Sequence, residues 1–260
     1  MPDSEVPLLE VRNLTRRFGG LSAVDDLSFR VSSAAIHGLI GPNGAGKTTT
    51  FNLISGYYAP TSGRIYYAGR DVTGARTSVL AQSGLIRTFQ GTTLFHELTV
   101  LDNVRVGCHR SAQAGFISRI TGSDRDLERA ADRKAREALE FFDLAESADE
   151  LAASLPHGHQ RALGMAVALA ADPRLLLLDE PFTGMNPEET RRMMGHIRQL
   201  RDERKVTVML VEHDMQAVMG LCDFITVMNF GNALAEGTPE QVRNDPRVIE
   251  AYLGRAENAA

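Results

Sequence analysis

Apolar and polar positions alternate at the start of the chain, and the alternation predicts short strands at Leu8 to Arg12 and Leu27 to Val31. Ile36 to Ile40 adds a third strand that runs into a glycine-rich turn, with a helix expected from Lys47 to a stop at Gly56. Ser62 and Gly63 open another strand, Arg64 to Ala68, which a turn near Gly69 closes. From about Thr99 to Leu155 the strand signals disappear. Across Asp126 to Leu144, Leu127, Ala131, Ala135, Ala138 and Phe142 recur at helical spacing, which predicts an amphipathic helix with a charged outer face. Gly107 to Ser123 reads as a loop, so this middle region is expected to be an all-helical insertion. The pattern then turns to helix (Leu163 to Ala171), strand (Leu175 to Leu178), helix (Pro187 to Arg204) and strand (Val206 to Val211). Near-continuous apolar strands separated by helices predict a parallel sheet covered on both faces, an α/β fold. Asn186-Pro187-Glu188-Glu189 is a helix start with a cap residue, a proline at the first helical position and acids in the first turn.

Composition adds limits. The chain has 260 residues, 43% hydrophobic and 23% charged, ordinary usage for one globular unit, and no internal repeat is visible. The formal net charge of -5 offers no general grip on nucleic acid, so any phosphate binding must be local. Lysine supplies only three of the 28 basic residues (Lys47, Lys134 and Lys205), and one of them falls in the strongest motif. Cys108 and Cys222 stand far apart and are expected to be reduced, buried thiols. The start lacks a basic segment followed by an apolar one, so no secretory signal is expected and the cytoplasm is the expected compartment. The longest apolar stretch, Ala162 to Ala171, falls well short of the roughly 20 residues a bilayer span requires.

Gly41-Pro42-Asn43-Gly44-Ala45-Gly46-Lys47-Thr48 fits the phosphate-binding pattern G-x-x-x-x-G-K-T, with an apolar strand before it and a helix after it. Glycines let the backbone wrap closely, so that successive N–H groups point at the phosphates and the helix start adds positive potential. Gly41, Asn43, Gly44, Gly46, Lys47, Thr48 and Thr49 are the candidate nucleotide-binding residues. Lys47 would reach the β- and γ-phosphates, and the Thr48 hydroxyl would ligate Mg²⁺. Leu175 to Leu178 lead into Asp179 and Glu180, two acids at the carboxyl edge of the sheet where ligands of open α/β folds bind. Asp179 would hold Mg²⁺ through water, and Glu180 would polarise the attacking water as general base.

With these residues in place the chain resembles the ATP-binding subunits of ABC transporters over nearly its whole length. The resemblance implies ATP and Mg²⁺ as cofactors and an α/β P-loop NTPase core, joined by an N-terminal antiparallel β subdomain and an all-helical subdomain. Residues 1–95 and 158–260 would form the core with its β subdomain, and 96–157 the helical part. Arg87-Thr88-Phe89-Gln90 looks like the family's Q-loop, whose glutamine touches the metal and the attacking water and links to the membrane partner. Val211-Glu212-His213-Asp214 resembles the switch histidine that contacts the γ-phosphate. Phe18 stands where the family stacks an aromatic ring on adenine. Leu155-Pro156-His157-Gly158-His159-Gln160-Arg161 occupies the place of the signature, usually Leu-Ser-Gly-Gly-Gln followed by Gln-Arg. Pro156 replaces the serine, His157 a glycine and His159 the glutamine, while Gly158 remains. In the family this segment closes over ATP held by the opposite subunit, so Gly158 and His159 are further nucleotide contacts, and a second ATPase subunit, identical or related, is implied. Gly184-Met185-Asn186 resembles the loop that communicates between paired sites, with Asn186 where many relatives have aspartate.

Phe18-Gly19-Gly20-Leu21, Ala235-Glu236-Gly237-Thr238-Pro239 and the ending Val248 to Gly254 look like the importers of branched-chain amino acids and related hydrophobic amides such as urea. Such an engine would sit on the cytoplasmic side of the inner membrane against transmembrane permease subunits, and serve a solute-binding protein indirectly. Partly shared strings keep open the ATPase of a lipopolysaccharide-type exporter. A non-transport ABC ATPase acting on nucleic acid or ribosomes usually carries long coiled coils or two cassettes, and this chain has one cassette and no heptads.

Overall fold

The computed structural model describes residues 6–88, 94–108 and 124–253. Two sheets divide the work. The first is antiparallel and joins β1 (Leu9–Phe18), β2 (Leu21–Val31), β4 (Ser62–Tyr67) and β5 (Arg70–Asp71) in the order β2-β1-β4-β5. β1 and β2 are longer than the alternation predicts, because register shifts break the period-two pattern midway. Asn13 and Asp26 sit at these irregularities with positive φ, and the Asn13 amide donates to the Asp26 carboxylate at 2.8 Å. Asn and Asp tolerate that conformation better than other residues with a side chain.

The second sheet runs β10-β9-β3-β8-β7-β6, parallel apart from β10. Its strands are β3 (Ile36–Ile40), β6 (Leu85–Arg87), β7 (Leu175–Asp179), β8 (Thr207–Val211), β9 (Phe224–Asn229) and β10 (Asn232–Gly237). Every residue of β3, β7 and β8 is buried, as expected for a sheet covered on both faces. Successive leucines of β7 serve opposite cores. Leu175 and Leu177 pack with α1 (Lys47–Ile54) and the antiparallel sheet, Leu176 and Leu178 with the helices of the other face. Each fully buried leucine contributes about 1.5–3 kcal/mol.

The predicted helices are present with shifted ends. α2 (Thr77–Gln82) lies ahead of β6; the middle region holds α3 (Val100–Gly107) and α4 (Asp124–Phe141), followed by two short 3₁₀ turns. Ala135, Ala138 and Phe142 are buried, as the helical spacing predicts. α5 (His157–Ala170) begins six residues before the expected Leu163, because the polar run His157 to Arg161 forms its first turn. It packs on both α3 and α4. The chain continues through α6 (Pro187–Asp202), α7 (Met215–Leu221), α8 (Pro239–Arg243) and α9 (Pro246–Leu253). Asn186 caps α6 with a complete capping box: its side chain accepts from the Glu188 and Glu189 N–H groups, and Glu189 accepts from the Asn186 N–H. Both cysteines are free and buried, and burial pushes the Cys222 thiol up to about 12. No helix among the described residues is long and apolar enough to cross a membrane.

Candidate active site

Three neighbouring parallel strands end at one edge of the sheet, and each delivers one part of the site. β3 leads into the glycine loop, β7 into Asp179 and Glu180, and β8 into Glu212 and His213. Asp179 pairs in register with Val211, so the two acidic strand ends lie side by side.

The loop from Gly41 to Gly46 turns tightly into α1. Gly41 and Gly46 both have positive φ, and a Cβ would lie 2.2 Å from the Met228 carbonyl oxygen at the first and 2.4 Å from that of Ala23 at the second. Only glycine fits either place. No side chain caps α1, which leaves its first N–H groups to an outside acceptor. The buried Lys47 folds back on the loop, its Nζ donating to the Gly41 carbonyl at 2.7 Å and the Pro42 carbonyl at 3.0 Å. Asn43, Gly44 and Thr48 are exposed at the mouth and Thr49 is half-buried.

Glu180 and His213 meet. Glu180 Oε1 lies 3.0 Å from His213 Nε2; an ionised carboxylate only accepts, so opposite an ionised Glu180 that nitrogen would be the donor. The Thr183 hydroxyl reaches Glu180 Oε2 at 3.3 Å, and the Glu180 N–H is held by the Val211 carbonyl at 2.9 Å. Glu180 has a φ of 50°, a left-handed conformation costing about 1–2 kcal/mol for a residue with a side chain. Its neighbour Glu212 is buried and binds both loops, accepting from the Phe182 N–H at 2.8 Å and the His213 N–H at 2.9 Å. Burial pushes the Glu212 carboxyl above its usual range, the N–H groups of Phe182, His213 and Asp214 pull the other way, and the charge of Glu180 adds to the rise.

Asp179 is buried and paired with Arg87, Nη2 to Oδ2 at 2.9 Å. At the tip of the β1–β2 hairpin Phe18 is 39% exposed, edge-on to Tyr58, with the Arg16 guanidinium 4.6 Å from its ring centroid. The signature-like segment opens α5. Pro156 is its cap residue with no side-chain cap bond, His157 and His159 are exposed, and Gly158 is buried against Glu189, whose Oε1 would stand 2.5 Å from an added Cβ. Gly184 faces the His157 ring in the same way, so this segment is braced by the loop and helix that follow Glu180. Gln90 lies outside the described residues.

Comparison with known proteins places this geometry. The ABC transporter family model matches residues 24–183, more than half of the chain. The chain belongs to the ABC transporter family. A second model, that of the branched-chain amino acid ATP-binding cassette transporter, matches residues 234–258. The chain is similar to the high-affinity branched-chain amino acid transport ATP-binding protein BraF of Pseudomonas aeruginosa, at 45% identity over 96% of this chain and 99% of that one. The corresponding protein LivG of Escherichia coli is 44% identical over the same shares. Among solved structures, a nucleotide-free ATP-binding cassette from an ABC transporter superposes with a TM-score of 0.82 at 28% identity, covering 95% of this chain and 99% of that one. The ADP conformation of another ATP-binding cassette of an ABC transporter superposes with a TM-score of 0.83 at 29% identity, covering 96% of this chain and 100% of that one. This ABC cassette is therefore a nucleotide-binding ATPase subunit.

Two residues of the site have no role in the sequence reading of this ABC cassette. Glu212 lies inside the string that carries the switch histidine, and the visible signal is an acid directly after a largely apolar run, as at Asp179. Arg87 opens the Q-loop string. Its signal is a cation ending a short strand beside β7.

Proposed function

We propose that the chain hydrolyses ATP to power an importer of branched-chain amino acids or related hydrophobic amides, seated peripherally on the cytoplasmic side of the inner membrane beneath transmembrane permease subunits. The observation that carries the hydrolytic reading is the Glu180–His213 contact of 3.0 Å at the strand edge shared with Asp179 and the glycine loop. The solute class rests on the similarity to BraF and LivG and on the match of residues 234–258.

In this reading the glycine loop and the start of α1 bind the phosphates through backbone N–H groups, and Lys47 leaves the loop carbonyls to bind the β- and γ-phosphates. Phe18 stacks on adenine. The site suits Mg²⁺, because Thr48 and Asp179 offer hard oxygen donors beside the loop, and the Q-loop resemblance names Gln90 as a further donor. Bound there, the ion would offset charge on the β- and γ-phosphates. Glu180 takes a proton from the attacking water as general base. The His213 Nε2–H holds that carboxylate in place before nucleotide arrives, and its half-exposed ring then turns to the γ-phosphate. Glu212 sets the spacing of the two loops that carry the pair.

A second ATPase subunit completes each site with its Gly158 and His159. Pro156 cannot supply the serine hydroxyl of the usual signature, so the uncapped N–H groups at the start of α5 take that part. The helical part, residues 96–157, carries closure of the pair to the permease. Lys47→Ala should abolish ATP binding in calorimetry, and retained affinity would remove the phosphate assignment. Vesicles holding the assembled transporter should accumulate labelled leucine when ATP is supplied on the cassette side, and absence of uptake would refute the import reading.

A further inference from the structure

The Arg87–Asp179 pair is almost dry, the two side chains being 6% and 2% exposed. A buried ion pair is a poor way to gain stability, since desolvation offsets most of the attraction. Its place calls for another explanation. The same guanidinium reaches α1, Nη1 donating to Asn52 Oδ1 at 2.6 Å and to Ser55 Oγ at 3.1 Å, while its carbon lies 5.8 Å from the centre of the Phe51 ring. One rigid, planar cation thus spans from the helix that begins with Lys47 to the acid at the end of β7. Arginine suits the task because its donors stand in a fixed fork, whereas a lysine ammonium is a single point on a flexible stem.

We propose that Arg87 is the positioning residue of the metal site: it commits Asp179 Oδ2 to the protein, turns Oδ1 toward the metal's water shell, and sets the distance of that oxygen from α1. This rests on the reading that Asp179 serves Mg²⁺. Groups that orient a metal-serving carboxylate from behind are worth about 10–100-fold in metal affinity.

The test is calorimetric binding of a non-hydrolysable ATP analogue to the full chain, with Mg²⁺ and again in EDTA, so that turnover plays no part. Arg87→Lys and Arg87→Gln should lose about 10–100-fold of the metal-dependent gain in affinity and keep the affinity in EDTA. Asn52→Ala, which removes the shorter of the two hydrogen bonds that tie Arg87 to α1 and leaves the ion pair, should lose part of that gain, and it decides the matter should the Arg87 variants fail to fold. An unchanged metal-dependent gain, or an equal loss in both conditions, would overturn the proposal. Asp179→Asn separates the two levels. If it loses the gain while the Arg87 and Asn52 variants keep it, the inference about Arg87 alone fails; if it keeps the gain, the metal role of Asp179 fails and Arg87 goes with it.

Discussion

His37 stands in β3, four residues before the glycine loop, with no charged partner in contact among the described residues. The Phe29 and Phe224 rings lie 5.8 and 5.7 Å from it, centre to centre, and its Nε2 is 2.9 Å from Thr226 Oγ1. Burial pulls its pKa down from 6.5 to about 4. The unfolded chain therefore binds a proton that the folded chain refuses, and stability falls as pH drops from 6.5 toward 4, by roughly 3 kcal/mol in all. Glu236, which accepts from Thr226, has its carboxyl raised by burial and acts in the opposite sense. The difference between wild-type and His37→Gln urea unfolding curves, taken from pH 7 to pH 4, isolates the histidine. The gap should change by that amount across the window, and a constant gap would contradict the burial argument. At this scale the candidate site is legible where chemistry and spacing coincide: Lys47 is one of three lysines and Glu180 follows an apolar strand. Arg87 and Glu212 escape notice because their roles depend on contacts with residues 92 and 30 positions away, which no local pattern carries.

Among the elements, close backbone approach decides more than propensity does. Gly107 ends α3 against α5, and a Cβ there would lie 2.3 Å from the Val167 carbonyl oxygen. Backbone cannot yield as a side chain does, so Gly107→Ala should force the helices apart and cost about 1–3 kcal/mol. Thermal unfolding checks this, and a melting temperature equal to wild type would show that α3 can shift at no cost. Asn186→Ala removes the cap of α6 and should cost about 1 kcal/mol, lowering Tm by about 2–4 °C. The same cap braces the start of α5, because Glu189 serves both the Asn186 N–H and the wall beside Gly158. The Asn186 start is readable from four adjacent residues. The true start of α5 is not, because Pro156-His157-Gly158-His159 carries no side-chain cap and its bracing comes from the far side of β7. Likewise the hairpin of β1 and β2 hides its length, since the shifts at Asn13 and Asp26 break the alternation that would mark it.

Across the whole molecule, the parallel sheet brings together residues from three distant stretches at one edge, and the antiparallel sheet closes over α1 from the other face. The fold class is legible because buried strands and amphipathic helices alternate with different periods. The edge strands β6 and β10 and the short helix α2 are too brief or too polar to stand out. If two cassettes close over shared nucleotide, the Glu180→Gln chain should become a dimer in MgATP by light scattering and remain a monomer in ADP. A monomer under both conditions would weigh against shared sites.

The central claim is that Glu180, held by His213 beside the glycine loop, is the base that turns over bound ATP. Its most direct test is steady-state hydrolysis by Glu180→Gln in the assembled transporter, with ATP affinity measured on the same sample. The account predicts that turnover falls by about 10²-fold or more while affinity stays at the wild-type value. Wild-type turnover in that variant would contradict it.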